Sequence, residues 1–319
     1  MQLLNGSVVA LVTPFHGDND QSVNREKLVE LIEFHAISGT VAIVPCGTTG
    51  ESPTLSDDEW ETVVSTTIEA ARSTSLKIIP GTGSNSTREA VRRTEQAAKL
   101  GADACLVVTP YYNRPSPEGI LAHYQELDKV GLPIILYDIP SRTGVELGVE
   151  LIMALCEKCP SIIGLKASNG NLDQITEIVY RSYQLDRPFS VFSGDDSLTL
   201  PILAVGGVGV ISVAANVMPS VMNELVASFE RRELNQSKFI AQASHGFCRA
   251  LLKSGSNPAP IKAIMNHLGL NVGGCRLPLS GISNEKMAAL LHELQIMTAK
   301  LTAPHIPIDD ILIKGQKLP

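Results

Sequence analysis

Lys166 stands at the inner end of an apolar run, Ile162, Ile163 and Leu165, and only small residues follow it in "ASNG". Burying an ammonium group is unfavourable without compensation, so its place needs a reason. At the reference pKa of about 10.4 only a few such amines in ten thousand are neutral at pH 7. Burial favours the neutral form, and a neutral lysine amine attacks carbonyls to form a Schiff base. The competing reading is a lysine that snorkels from a strand end or pairs with an acid. Position alone does not choose between the two.

Other residues of the right chemistry recur nearby. Tyr137 closes the run "PIILYD", Thr48 and Thr49 lie in "GTTGES", and Tyr112 lies in "TPYYNRPS". Imine formation moves protons to and from a carbinolamine, which a relay of hydroxyls can do near neutral pH. Each alone reads equally well as turn chemistry or aromatic core; as a set they read as a relay. Arg142 in "PSRTG" can grip a carboxylate bidentately. The backbone amides of "GTTGE" can hold a small carboxylate, much as a helix N-terminus does. Asp195 and Asp196 in "SGDD" put acids where phosphate-binding barrels place a phosphate cradle, which argues against a sugar-phosphate substrate. No histidine or third carboxylate accompanies them, so no metal site is expected.

These residues need a scaffold that brings them to one place. The apolar runs "VVALVT" from Val8, "VAIVPCG" from Val41, "KIIPGTG" from Lys77 and "ACLVVTP" from Ala104 read as strands. So do "PIILYD" from Pro133, "IIGLK" from Ile162, "FSVFSGD" from Phe189 and "VGVISV" from Val208. They are apolar throughout rather than alternating, as parallel strands covered on both faces are. Helix starts fall between them: capping boxes at Ser56 with Glu59 and at Ser86 with Glu89, and Ser116 before Pro117. Eight strands alternating with helices predict an α/β fold, a (β/α)₈ TIM barrel, over residues 1–232, with a C-terminal helical appendage and tail over 233–319. A doubly wound sheet is the alternative, but no GxGxxG follows the first strand. In such barrels the active site lies at the C-terminal ends of the strands, and the polar clusters after strands 2 to 7 all fall there. The final "APHIPIDDILIKGQKLP" has no evident role.

Composition narrows the partners. The 319 residues are 44% hydrophobic and 18% charged, with a net charge of -7, which disfavours nucleic acid and anionic membranes. The start, "MQLLNGSVVALVTPF", has no basic n-region and does not read as a signal peptide. Residues 197–223 carry no charge, but Pro201, Gly206, Gly207 and Gly209 interrupt them, so a buried helix and strand are expected rather than a membrane span. Of six cysteines, only Cys156 and Cys159 form a CxxC. With no second pair they read as two reduced thiols near a helix end, in keeping with a cytoplasmic protein.

From about Gly6 to Leu294, the set "GTTGES", "TPYYNRPS", "YDIPSRTG", "IIGLK" and "SGDD" resembles the dihydrodipicolinate synthase branch of the pyruvate-dependent class I aldolases. The resemblance implies a (β/α)₈ barrel and an imine between Lys166 and pyruvate. The enamine formed from it would attack L-aspartate-4-semialdehyde, and cyclisation would release the amine. No cofactor is implied beyond that covalent imine. Thr48, Tyr112 and Tyr137 match the proton relay, with Tyr137 as general acid and base. Thr49 matches the pyruvate carboxylate site and Arg142 the holder of the semialdehyde carboxylate; Gly194 and Ile211 complete the implied substrate-binding set. The tyrosine matching Tyr112 crosses from a neighbouring subunit in the family, which implies a homo-oligomer, often a dimer of dimers. Ser52, Asn85, Glu89 and Tyr111 match an L-lysine inhibition site, whereas Pro53, Asp57 and Trp60 depart from its frequent residues. Trp60 also has a structural reading, a hydrophobic staple with Leu55 around the Ser56 cap. Sialic-acid lyases of the same family typically lack the arginine of "PSRTG", so Arg142 favours the synthase. A lyase cleaving a sialic acid or 2-oxo-3-deoxy sugar acid, and a non-catalytic barrel that binds a small acid, are the other readings. Two positions depart from the family: Ala167 replaces a common Glu and Asp138 a common Asn. The missing acid beside Lys166 is expected to alter the amine's surroundings or the rim of the site.

Overall fold

Prolines set where the strands stop. The second, third and fourth apolar runs each contain one (Pro45, Pro80, Pro110), and a residue without an N–H cannot continue a ladder. In the computed structural model, which describes residues 4–17 and 21–302, the strands are therefore shorter than the apolar runs. They are β1 (Gly6–Ala10), β2 (Ala42–Val44), β3 (Lys77–Ile78), β4 (Cys105–Val108), β5 (Ile134–Asp138), β6 (Ile162–Ala167), β7 (Ser190–Ser193) and β8 (Gly209–Ser212). The C-terminal run "APHIPIDDILIKGQKLP" lies outside the described residues.

All strand pairs are parallel, in the order β3-β2-β1-β8-β7-β6-β5-β4. A parallel bridge between Gly81 and Leu106 closes the remaining seam, supported by Leu106 N to Pro80 O at 3.0 Å and Thr82 N to Leu106 O at 3.1 Å. The eight-stranded barrel is as expected. Its core is split by the two-residue period of the strands. Val8, Ala10, Val44, Leu106, Ile135 and Phe192 fill the inside. Val9, Ile43, Val107, Leu136, Leu165 and Val191 face the helices.

The helices after successive strands are α1 (Arg25–Ile37), α2 (Asp57–Ala71), α3 (Thr87–Leu100), α4 (Pro117–Asp128), the single turn α5 (Pro140–Thr143) with α6 (Val149–Lys158), α7 (Leu172–Ser182), α8 (Thr199–Ala204) and α9 (Pro219–Glu230). The Ser56–Glu59 capping box is complete, and Leu55 and Trp60 flanking it are both buried in one cluster. Ser116 caps α4 by accepting from Gly119 N, with Pro117 in the first turn. The expected box at Ser86 is absent: Ser86 makes no side-chain cap bond. Glu89 instead binds Arg92 and Arg93, because bonds between ionised groups are stronger than a carboxylate's bond to a neutral amide.

The uncharged stretch 197–223 divides into α8, β8 and the start of α9. Among the described residues no helix is long and apolar enough to cross a membrane. Cys156 and Cys159 are free, buried thiols at the end of α6; burial pushes them up to about 12 and about 11. The C-terminal helices α10 (Leu234–Lys253), α11 (Ala259–His267) and α12 (Asn284–Leu301) are present. They do not form a separately cored unit. Phe247, Ile264, Leu290 and Leu294 belong to the same hydrophobic cluster as the outer barrel residues.

Candidate active site at the barrel mouth

A bulge aims Lys166 inward. Ile162 pairs with Ile134, but the next pairing is Gly164 with Ile135, leaving Ile163 as an extra residue on β6. Ile162 faces the helices. In an unbroken strand the two-residue period would put Lys166 on the same, helix-facing side as Ile162; the bulge reverses the face from there on. Lys166 then shares a layer with Tyr137 and Phe192, its register partners on either side. A side chain at Gly164 would meet the carbonyl of Ser190 at 2.5 Å, so the close approach of β6 to β7 needs glycine here.

Lys166 is only 4% exposed. Its Nζ lies 4.4 Å from the centre of the Tyr137 ring, a cation–π distance. It makes no ion pair with any described residue and opens onto a small chamber of about 80 Å³. A larger chamber of about 370 Å³ adjoins it, and Thr48, Tyr137, Ile139 and Arg142 line both. Gly194 supplies the room: a Cβ there would strike Ser168 Oγ and come within 3.1 Å of Lys166 Cε.

The predicted site residues do not all meet in one place. Lys166, Tyr137, Thr48, Thr49, Arg142 and Gly194 converge on the small chamber. Thr49 is buried, and its Oγ1 accepts from Asn257 Nδ2 at 2.9 Å. Arg142, in the single turn after β5, donates to the Asn257 carbonyl at 3.4 Å. Ile211 does not line either chamber and sits within the inner barrel core.

Tyr112 stands apart. Its φ of +73° turns it out of the loop, and it is 89% exposed, so its hydroxyl does not reach the chamber of its own chain; Tyr111 lines the larger chamber instead. Of the residues matched to an L-lysine site, Ser52 and Tyr111 line that chamber. Asn85 and Glu89 do not. Asn85 gives its carbonyl to Asn113, and hydrogen bonds from Arg92, then Arg93, hold the Glu89 carboxyl below the usual range.

The acids of "SGDD" serve the loops. Asp196 Oδ2 accepts from Val213 N at 3.1 Å and Ala214 N at 3.0 Å, and burial raises its carboxyl. Asp195 accepts from Ser197 N and lies 3.6 Å from Arg249. No group of three metal-binding side chains occurs among the described residues.

Ala167 packs away from the chamber. One residue on from Lys166, its side chain faces the helices, within the outer cluster. Its register partner is Asp138, so the carboxylate of this layer sits on β5 instead of β6. Asp138 accepts from Leu147 N at 3.1 Å and Asn169 Nδ2 at 3.1 Å. Gln174 donates to the Leu147 carbonyl and meets Asn169. The ring so formed ties the loop after Lys166 to the loop after Arg142.

Sequence reasoning missed three residues. Asn257 lies in "SGSNPAP", whose Gly, Ser and Pro content reads as a turn and nothing more, yet it touches both Thr49 and Arg142. Glu51 and Lys262 form a buried ion pair beneath the "GTTGES" loop. A lone cation in the apolar run "PAPIKAIM" was the available signal for Lys262.

Fold and site together define a (β/α)₈ barrel built around one buried amine without an ionic partner. The chain belongs to the dihydrodipicolinate synthetase family, whose model matches residues 3–297. It is 44% identical over 284 residues to a 4-hydroxy-tetrahydrodipicolinate synthase of Aquifex aeolicus (strain VF5), covering 89% of this chain and 94% of that protein. The structure of the 4-hydroxy-tetrahydrodipicolinate synthase from Methylacidiphilum fumariolicum SolV is 39% identical, with a TM-score of 0.89, over 94% of this chain and 97% of that one. The chloride-inhibited dihydrodipicolinate synthase from Acinetobacter baumannii complexed with pyruvate is 38% identical, with a TM-score of 0.87, over 92% of this chain and 99% of that one.

Proposed function

We propose that this chain is a lyase that condenses pyruvate with L-aspartate-4-semialdehyde to give 4-hydroxy-tetrahydrodipicolinate, a step of lysine and diaminopimelate synthesis. The observation that carries the reading is Lys166: buried, without an ionic partner, and facing a chamber that also holds hydroxyls and an arginine. The names of the relatives and the pyruvate bound in one of them support it.

In this reading Lys166 Nζ attacks C2 of pyruvate and gives a carbinolamine. Tyr137 delivers the proton that lets water leave, and an imine results. Loss of a proton from C3 gives the enamine, whose C3 attacks the aldehyde carbon and forms the new carbon–carbon bond. The aldehyde oxygen takes up a proton and becomes the hydroxyl of the product. The amine of the semialdehyde then attacks C2, closes the ring and expels Lys166. Thr48 and Tyr137 pass the protons with Tyr112 of a neighbouring subunit. Thr49 and the amides around it hold the pyruvate carboxylate. Arg142 takes the second carboxylate as a charge-assisted pair. The exposed position of Tyr112 supports an assembly in which it completes a neighbour's site, and we infer a homo-oligomer, a dimer of dimers. The chemistry uses the lysine imine alone and calls for no cofactor. Buried free thiols support a reducing, cytoplasmic setting.

A coupled assay tests the reading. Turnover is expected with pyruvate and aspartate semialdehyde, and none with a sialic acid or 2-oxo-3-deoxy sugar acids. Cleavage of the sugar acids without condensation of the semialdehyde would overturn it in favour of a lyase.

A further inference from the structure

The loop that carries Thr48 and Thr49 is held from beneath by charge. Glu51, two residues on from Thr49, adopts φ +55°, a left-handed conformation that a residue with a side chain keeps only where its surroundings enforce it. Its carboxylate is fully buried, with Oε1 2.6 Å from Lys262 Nζ, itself 2% exposed at the side chain. At that distance the contact is a charge-assisted pair, attractive both by charge and by hydrogen bonding. Oε2 accepts from Arg276 N at 2.9 Å. Lys262 donates to the Gly274 carbonyl at 2.9 Å and stands 4.2 Å over the Phe15 ring, which Arg276 also covers. Burial lowers the Lys262 amine and Glu51 opposes that shift.

A buried ion pair is poor evidence of stability, since apolar residues of similar volume commonly serve as well. What this one does supply is position. Glu51 N donates back to Thr48 O at 3.2 Å, and Thr13 Oγ1 donates to Gly50 O at 2.7 Å. Lys262 is the fourth residue of α11, and Asn257, just before that helix, is bonded to Thr49 and Arg142. One short C-terminal segment therefore grips the loop at Thr49 and, through Glu51, from below.

We propose that Glu51 and Lys262 are positioning residues that set the geometry of the pyruvate carboxylate cradle at Thr48–Thr49 through their buried ion pair. The proposal rests on the reading of that loop as the carboxylate site. It is tested with the double variant Glu51→Gln/Lys262→Met, which removes both charges together and keeps an acceptor for Arg276 N. The expected result is a folded protein whose KM for pyruvate rises about tenfold, a loss of about 1.4 kcal/mol, with the KM for aspartate semialdehyde unchanged. A folded variant with both constants unchanged, or with both raised alike, overturns it. If the double variant does not fold, Glu51→Gln alone is put through the same two titrations. Failure of both to fold assigns the pair to stability and also overturns the proposal. Borohydride trapping of pyruvate on the wild-type protein separates the two levels. No adduct at Lys166 rejects the aldolase reading itself, whereas an adduct with unmoved pyruvate KM in the variants rejects only the role of the pair.

Discussion

Lys166 and Lys262 are 4% and 1% exposed, and each stands over an aromatic ring, Tyr137 at 4.4 Å and Phe15 at 4.2 Å. They differ in what faces the amine. Lys262 meets a carboxylate and a carbonyl in closed packing. Lys166 meets a chamber lined by threonine hydroxyls, a guanidinium and the carboxylates of Asp195 and Asp196, neither of which is paired to it. A buried ammonium needs compensation, and within this fold only one of the two lysines receives an ionic partner. The paired amine braces a loop. The other, in no ion pair, is in a position to react with a carbonyl.

Exchanging the two roles in experiment should produce opposite results. Lys166→Ala is expected to remove turnover completely and to leave stability within about 1 kcal/mol, because no ion pair is broken. Lys262→Met, by contrast, strands Glu51 as a buried unpaired charge and is expected to cost about 3–5 kcal/mol in urea unfolding, while keeping a pyruvate adduct at Lys166. Equal losses of stability in the two variants would erase the distinction. Arg142→Ala comes next: turnover of aspartate semialdehyde should fall about ten- to a hundredfold, the scale of a lost bond to a charged group, with the pyruvate adduct intact. Disappearance of the adduct as well would move Arg142 into the first half-reaction.

A dependence on pH concerns the layer just outside the amine. Burial holds the Asp138 carboxyl up at about 6 against an ordinary 3.8, although bonds from Leu147 and Asn169 oppose the rise. Between about pH 4 and 6 the folded chain therefore keeps a proton that the unfolded chain has lost, so stability declines as pH rises, by up to about 3 kcal/mol. Asp138→Asn should flatten that decline in thermal melts taken across the window. A slope unchanged by the substitution would assign it to another group.

The barrel was legible because eight apolar runs alternate with capped helices, and the site because polar residues recur where those runs end. What was not legible depended on contacts far apart in the chain or on the local course of the backbone. The face of Lys166 depends on one extra residue at Ile163, which an unbroken apolar run does not reveal. The same parity places Ala167: counted from Lys166, it faces the helices, in register with Asp138. Glu51 and Lys262 are brought together only by the packing of α11 beneath the barrel mouth. The failed cap at Ser86 has the same origin, since Glu89 is drawn away by Arg92 and Arg93, and Arg92 also binds Asp57.

The most direct test is borohydride reduction in the presence of pyruvate, followed by mass analysis of the peptides. The account predicts one pyruvate-derived addition, on the peptide holding Lys166, and none on the peptide holding Lys262. No addition at Lys166, or an equal addition at both lysines, would contradict it.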